Sequence, residues 1–93
     1  MNDKNQGQIQ RQGLYSIHDK NAGIYYAPRV YAGDVMAVRD HQKLFRNVET
    51  DFNRWPDEFE LVMIAEFEPK TGEVFHIKHK VIVQGTTLVG NEV

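Results

Sequence analysis

At 93 residues, 41% of them hydrophobic, 26% charged and 11% aromatic, the chain has room for one domain and enough apolar side chain to exclude a wholly disordered polymer. A net charge of −2 excludes a histone-like polycation, and the absence of cysteine excludes disulfides and thiolate metal sites. No apolar run approaches the ~18–20 residues of a transmembrane helix, and the N-terminus is too polar for a secretory signal, so a protein without membrane contact in the cytoplasm is expected.

Residues 1–12 are rich in Gln and Asn and read as a flexible polar tail. Residues 14–18 (LYSIH) alternate as a strand does. Asp19–Gly23 is turn chemistry: Asp and Asn bond their own backbone, and Gly accepts positive φ. Ile24-Tyr25-Tyr26 reads as the return strand, ended by Pro28. Gly33-Asp34 then introduces a helix over about 34–47, with Asp34 as its cap and Val35, Val38, Gln42, Leu44 and Phe45 as its apolar stripe. Residues 48–57 read as a loop holding Phe52 and Trp55.

Residues 59–67 (FELVMIAEF) and 74–84 (VFHIKHKVIVQ) read as two strands joined by the Pro69–Gly72 turn. The expected fold is α+β, ordered ββαββ: an antiparallel sheet of two hairpins with one helix packed on it. A single domain over 13–86 follows, with 87–93 a short C-terminal tail. In a hairpin without bulges, one face holds Leu61, Met63, Ala65 and Phe67 with Val74, His76, Lys78 and Lys80. The other face, with Val62, Ile64, Phe75, Ile77 and Val81, reads as core.

Charge is unevenly distributed. Residues 55–73 carry one Lys against six carboxylates, whereas the rest of the chain sums to +3. Arg39, Lys43 and Arg46 are spaced i, i+4, i+7 and share one helix face, which suits either a row of phosphates or plain solvation. Lys78 and Lys80 beside Phe67 suit a single strand, whose bases stack on rings while cations follow its phosphates; they equally suit lysines at a sheet edge. Tyr25 and Tyr26 are adjacent and so point to opposite faces of a strand; with Arg29 close by, an exposed one could stack on a base or sit in a dimer interface. His76 and His79 are three apart, so on a regular strand they diverge and cannot share a metal. No nucleophile triad, glycine-rich phosphate loop or zinc motif is present, which leaves neither cofactor nor metal expected and no enzymatic chemistry nominated. The acidic stretch offers an alternative use of the domain, as a module that binds a basic partner protein.

Three blocks, GLYSIHDKNAG (13–23), GDVMAVRDHQKLF (33–45) and WPDEFELVMIAEFEPKTGEV (55–74), carry a resemblance. Together they resemble the small nonstructural protein of gokushovirus-type microviruses, tailless phages with circular single-stranded DNA. The family shows an LYSxxD…AG start, a helix with an Arg followed by a Phe, and an aromatic-Pro-x-D segment leading through F-x-L to a TG turn. The resemblance spans roughly residues 13–75, and its most specific part is Trp55 to Gly72. The chain departs from the pattern in its polar residues 1–12 and at Ala65-Glu66, where a Leu-Gly pair is common. The resemblance implies a non-enzymatic, DNA-binding or replication-associated protein in the cytoplasm of a bacterial host. It further implies a role around the switch from duplex replication to single-strand synthesis. On that reading Arg29, Arg39, Lys43, Arg46, Lys78 and Lys80 are the candidate phosphate contacts, with Tyr25, Tyr26 and Phe67 as stacking platforms. About five cations bind a single strand weakly, and a small core is marginal alone, so a homo-oligomer, most simply a dimer, is expected. A replication protein is the second partner considered, reached through the acidic hairpin.

Overall fold

The computed structural model describes residues 10–90. Over them the chain runs β1 (Gln12–Asp19), β2 (Ile24–Tyr25), β3 (Arg29–Tyr31), α1 (Asp34–Phe45), α2 (Asp51–Arg54), a 3-10 turn (Pro56–Glu58), β4 (Phe59–Glu68), β5 (Glu73–Gln84) and α3 (Gly85–Gly90). The fold is α+β, with every strand pair antiparallel in one open sheet. Strands β1 and β4 are central and β5 forms one edge.

The other edge is shared by two pieces. Tyr25 pairs with His18 in β2, and Val30 pairs with Leu14 in β3. The break between them contains Pro28, which has no N–H to give a ladder, so the chain steps past it and resumes pairing. Pro28, expected to end the hairpin, is instead followed by a further edge strand, β3. The turns form as their residues dictate. The Asp19 carboxylate accepts the N–H groups of Asn21 and Ala22, and Gly23 sits at φ +74°. At the β4–β5 tip the Glu68 carboxylate accepts from Lys70 N–H, and Gly72 sits at φ +80°.

The helices pack on one face of the sheet. Tyr15 and Leu61 meet Ala37 of α1, while Ile17 and Phe59 meet Phe45 of α1 and Leu88 of α3. The buried stripe of α1 is therefore Ala37, His41 and Phe45; Val35, expected inside, is 68% exposed, and Leu44 is also on the surface. The rotation has a physical cause. The Tyr15 hydroxyl donates to Asp34 and the Tyr31 hydroxyl to Asp40, both at 2.5 Å, which fixes which side of α1 looks down. Asp34 is the first helical residue rather than the cap, a position held by Gly33. Residues 51–58, expected as loop, form α2 and the 3-10 turn; Thr50 caps α2 by accepting from Asn53 N–H.

Two further expectations are corrected. Near its tip the second hairpin keeps the constant register, from Glu68↔Glu73 to Ala65↔His76. It then slips twice, so that Met63 meets Lys80 and Leu61 meets Val83. Strand β5 is longer than β4, and the surplus is absorbed where the register slips, by two residues between Ala65 and Met63 and by one between Val62 and Leu61. Leu61 and Met63 lie under the helices, packed with Ala37, so the face expected as core, that of Val62 and Val81, is instead the opposite one, shared with Ser16. The regular alternation expected between His76 and His79 is broken in the same stretch. The C-terminal boundary also moves. Leu88, expected in a tail over 87–93, is fully buried, so the domain extends through α3 to residue 90. At the other end Gln12 already belongs to β1, and Arg11 pairs with Glu66 at 3.2 Å and lies 3.8 Å above the Phe75 ring. The rest of the expected tails, residues 1–9 and 91–93, lies outside the described residues.

Candidate functional site

The helical spacing of Arg39 and Lys43 carries both to the face of α1 turned away from Ala37, His41 and Phe45, and both are exposed. Arg46 follows at the C-cap, also exposed. Beside this row, β3 brings Arg29 to within 3.8 Å of the Asp40 carboxylate, with 74% of the Arg29 side chain exposed. Between the broken edge strand and α1 lies a cleft of about 550 Å³ lined by Tyr26, Arg29, Asp40, His41, Lys43 and Phe52, together with Ile17, Ala27 and Leu44. A shallower hollow of about 280 Å³ adjoins it, bounded by Tyr31, Met36, Arg39, Asp40 and Lys43. Arg39 and Lys43 thus stand on the rim of continuous concave surface rather than on a bare helix.

The electrostatics of the cleft centre on Asp40. The Tyr31 hydrogen bond holds its carboxyl below the usual carboxylate range; burial opposes this, and the charges of Lys43 and Arg29 add to it. Tyr31 responds in the opposite sense: burial first, then the bond to an anionic partner, push its hydroxyl up, and Arg29 partly offsets them. His41 is 7% exposed and its Nδ1 lies 2.8 Å from the Ala37 carbonyl, one turn back in the same helix. Phe52 stacks on Phe45 at 5.0 Å, and Tyr26 meets Phe52 edge-on at 5.5 Å, so the floor of the cleft is an extension of the aromatic core.

The nine candidate residues do not share one groove. Tyr26, Arg29 and Lys43 meet at the cleft, with Arg39 and Arg46 continuing along α1. Tyr25 points the other way. It stacks on His18 at 4.3 Å on the uncovered face of the sheet and meets His79 edge-on at 5.5 Å. His18 in turn holds Glu60 at 2.9 Å, which also accepts from Gln84. Burial raises the Glu60 carboxyl, but the bonds from His18 and Gln84 and the charge of Lys20 outweigh it and hold the group low. Phe67 is half-buried near the hairpin tip, paired with Gln12 and Val74. Lys78 and Lys80 are exposed on β5, across the sheet from Arg29. Register sets Lys80 beside Met63 on the helix-bearing side.

Asp40, His41 and Phe52 complete the cleft and are missed by sequence reasoning. The available signal was His41 itself, a polar residue at the centre of the Ala37–Phe45 stripe. Among the described residues no group of three or more His, Asp or Glu could hold a metal ion, and no helix is long and apolar enough to cross a membrane.

Fold and site together define a small α+β protein whose one long helix lies beside a cationic, aromatic-floored cleft at the broken edge of an open sheet. The chain belongs to the Phage ORF5 protein family, whose model matches residues 12–88, from the first residue of β1 to the buried leucine of α3. It matches no curated protein and no solved structure.

Proposed function

We propose that this phage protein binds DNA, single strands in preference to duplex, and performs no chemistry on it. The finer assignment rests on the resemblance of residues 13–75 to the gokushovirus-type nonstructural protein: a role in genome replication or the switch to single-strand synthesis, in the cytoplasm of the bacterial host. The observation that carries the reading is the meeting of Arg29 and Lys43 with Tyr26 and Phe52 at one cleft, with Arg39 and Arg46 extending the cationic row along α1. Cations that follow phosphates beside rings that accept bases are what a single strand requires. The polar groups of the cleft engage one another, Asp40 with Tyr31 and Arg29, and His41 with a backbone carbonyl; this favours holding a ligand over transforming one.

Four cations per copy give weak binding at physiological salt, so the working unit is a homo-oligomer, most simply a dimer. Strand β5 supports this, being twelve residues long with one side unpaired in the sheet. The competing reading, capture of a replication protein by residues 55–73, is weakened because Glu66 is engaged by Arg11, and Glu60 by His18 and Gln84.

The test is fluorescence anisotropy on labelled single and double strands of equal length across a salt series. Binding that weakens with salt is expected, tighter for the single strand. Replacing Arg39 and Lys43 together by Gln should reduce the slope of log K against log salt by about 1.4, at roughly 0.7 per single-strand phosphate contact. Absence of binding at low salt, or binding indifferent to salt, overturns the proposal.

A further inference from the structure

We propose that the cleft between β3 and α1 takes one unstacked base of the bound strand, reads it through His41 and Asp40, and favours bases that present amino hydrogens over thymine. This deepens the proposed nucleic-acid function and rests on it.

The volume, about 550 Å³, lies in the range of small-molecule sites, and the walls are those of such a site: apolar and aromatic with a few polar groups. Ile17, Leu44 and Phe52 supply the apolar part, and Tyr26, 41% exposed, offers a ring at the mouth. Arg29 and Lys43 are donors suited to phosphate oxygens, whereas His41 and Asp40 offer acceptors. A carbonyl can only accept, so the short contact between His41 Nδ1 and the Ala37 carbonyl places a proton on Nδ1. In the neutral ring Nε2 is then an acceptor. Because the Nδ1 edge is turned back on its own helix, the edge left for the cleft carries Nε2. Asp40 uses Oδ2 for both Tyr31 and Arg29, which leaves Oδ1 as a second acceptor. The Tyr31 bond and the nearby cations keep its carboxyl ionised, so it cannot become a donor near neutral pH.

The two acceptors call for donors from the ligand; the demand is sharpest at His41, which is buried, because a buried polar group left unpaired is costly. Cytosine, adenine and guanine each carry an exocyclic amino group. Thymine carries one ring N–H between two carbonyls, which would face the acceptors of the cleft. Arg29 and Lys43, at the rim, stand where the phosphates flanking such a base must pass, and they offset the charge that Asp40 would otherwise turn against the strand. A base inserted here would leave its neighbours free to run along α1 past Arg39.

The experiment is anisotropy competition near neutral pH and at fixed salt. Unlabelled oligo-dC, oligo-dT and oligo-dU of equal length displace a labelled mixed-sequence strand, and the salt slope is measured alongside. These pyrimidines differ in the amino group, with oligo-dU controlling for the methyl of thymine. Oligo-dC should compete about tenfold better than either, the scale of one good base-edge contact. His41→Phe should abolish the preference while leaving the salt slope unchanged. Leu44→Trp fills the cleft from its rim without touching a cation and should abolish it too, which keeps the test decisive if the His41 variant folds poorly. Equal competition by all three strands, or a preference that survives both variants, overturns the base-reading cleft and leaves salt-dependent DNA binding standing. Absence of binding to any strand overturns both.

Discussion

Two phenols fasten the long helix to the sheet. Tyr15 and Tyr31 reach from neighbouring strands to carboxylates at the first and seventh residues of α1, Asp34 and Asp40. Asp40 lies at the cleft, so Tyr31 positions a binding group as well as the helix. Removing the bond by Tyr31→Phe should cost about 1–2 kcal/mol at neutral pH. The pH dependence comes from the direction of the Asp40 shift. Its carboxyl titrates below the ordinary 3.8 when folded, so its contribution is complete above that value and is lost as pH falls through the lower folded one. The stability gap between Tyr31→Phe and the natural protein should therefore narrow in acid, read by urea unfolding at about pH 7 and about pH 3. Gly85 constrains the molecule differently. A Cβ there would run into the Pro56 carbonyl and press within 2.9 Å of Phe45 and of the Phe59 carbonyl. Two of those neighbours are backbone and cannot swing aside. Gly85→Ala should cost about 1–3 kcal/mol or more in the same urea experiment, as overpacked sites do.

Among the elements, those written in local chemistry are the ones the residues reveal. The Asp19–Gly23 and Pro69–Gly72 turns, the apolar run of β4 and the existence of α1 need only their own neighbours to form. The elements that escaped depend on distant partners. Strand β3 exists because β1 offers a ladder beyond Pro28. Helix α3, with the unpromising sequence GTTLVG, is held by Leu88 in the Ile17–Phe45–Phe59 core. The rotation of α1 and the register of β5 are likewise set by tertiary bonds and bulges that no local pattern encodes. The site divides along the same line. The shared face of Arg39 and Lys43 follows from spacing alone, but the cleft is made by two elements meeting, and His41 is disguised as part of the buried stripe. Leu88→Ala is the sharpest test of the corrected boundary. A true tail residue would be neutral, whereas a fully buried leucine should cost about 2–5 kcal/mol, measurable by thermal or urea unfolding.

As a whole the molecule is a slab, with Cα extents of 51 × 30 × 18 Å, whose helices cover one face and whose two edges are unlike. Lys78 and Lys80 lie on the long β5 edge, and positive charges there deter a second strand from adding. If the proposed dimer joins through β5, the lysines of the two copies repel across the joint, and added salt should screen that repulsion. Self-association measured by sedimentation should then strengthen with salt while DNA binding weakens, and replacing Lys78 and Lys80 by Thr should bring dimerisation down to low salt. The interrupted edge at the far side of the sheet limits the size of such an assembly. Pro28 can donate no hydrogen bond, and the pairing offset changes across it, so an arriving strand finds only two or three residues in line before the ladder fails. Joining through β5 would use the one long open edge among the described residues of each copy and leave a broken one facing outward at both ends. Growth of such a pair would terminate at two, with Pro28 as the chain stop that would keep it from becoming a fibre.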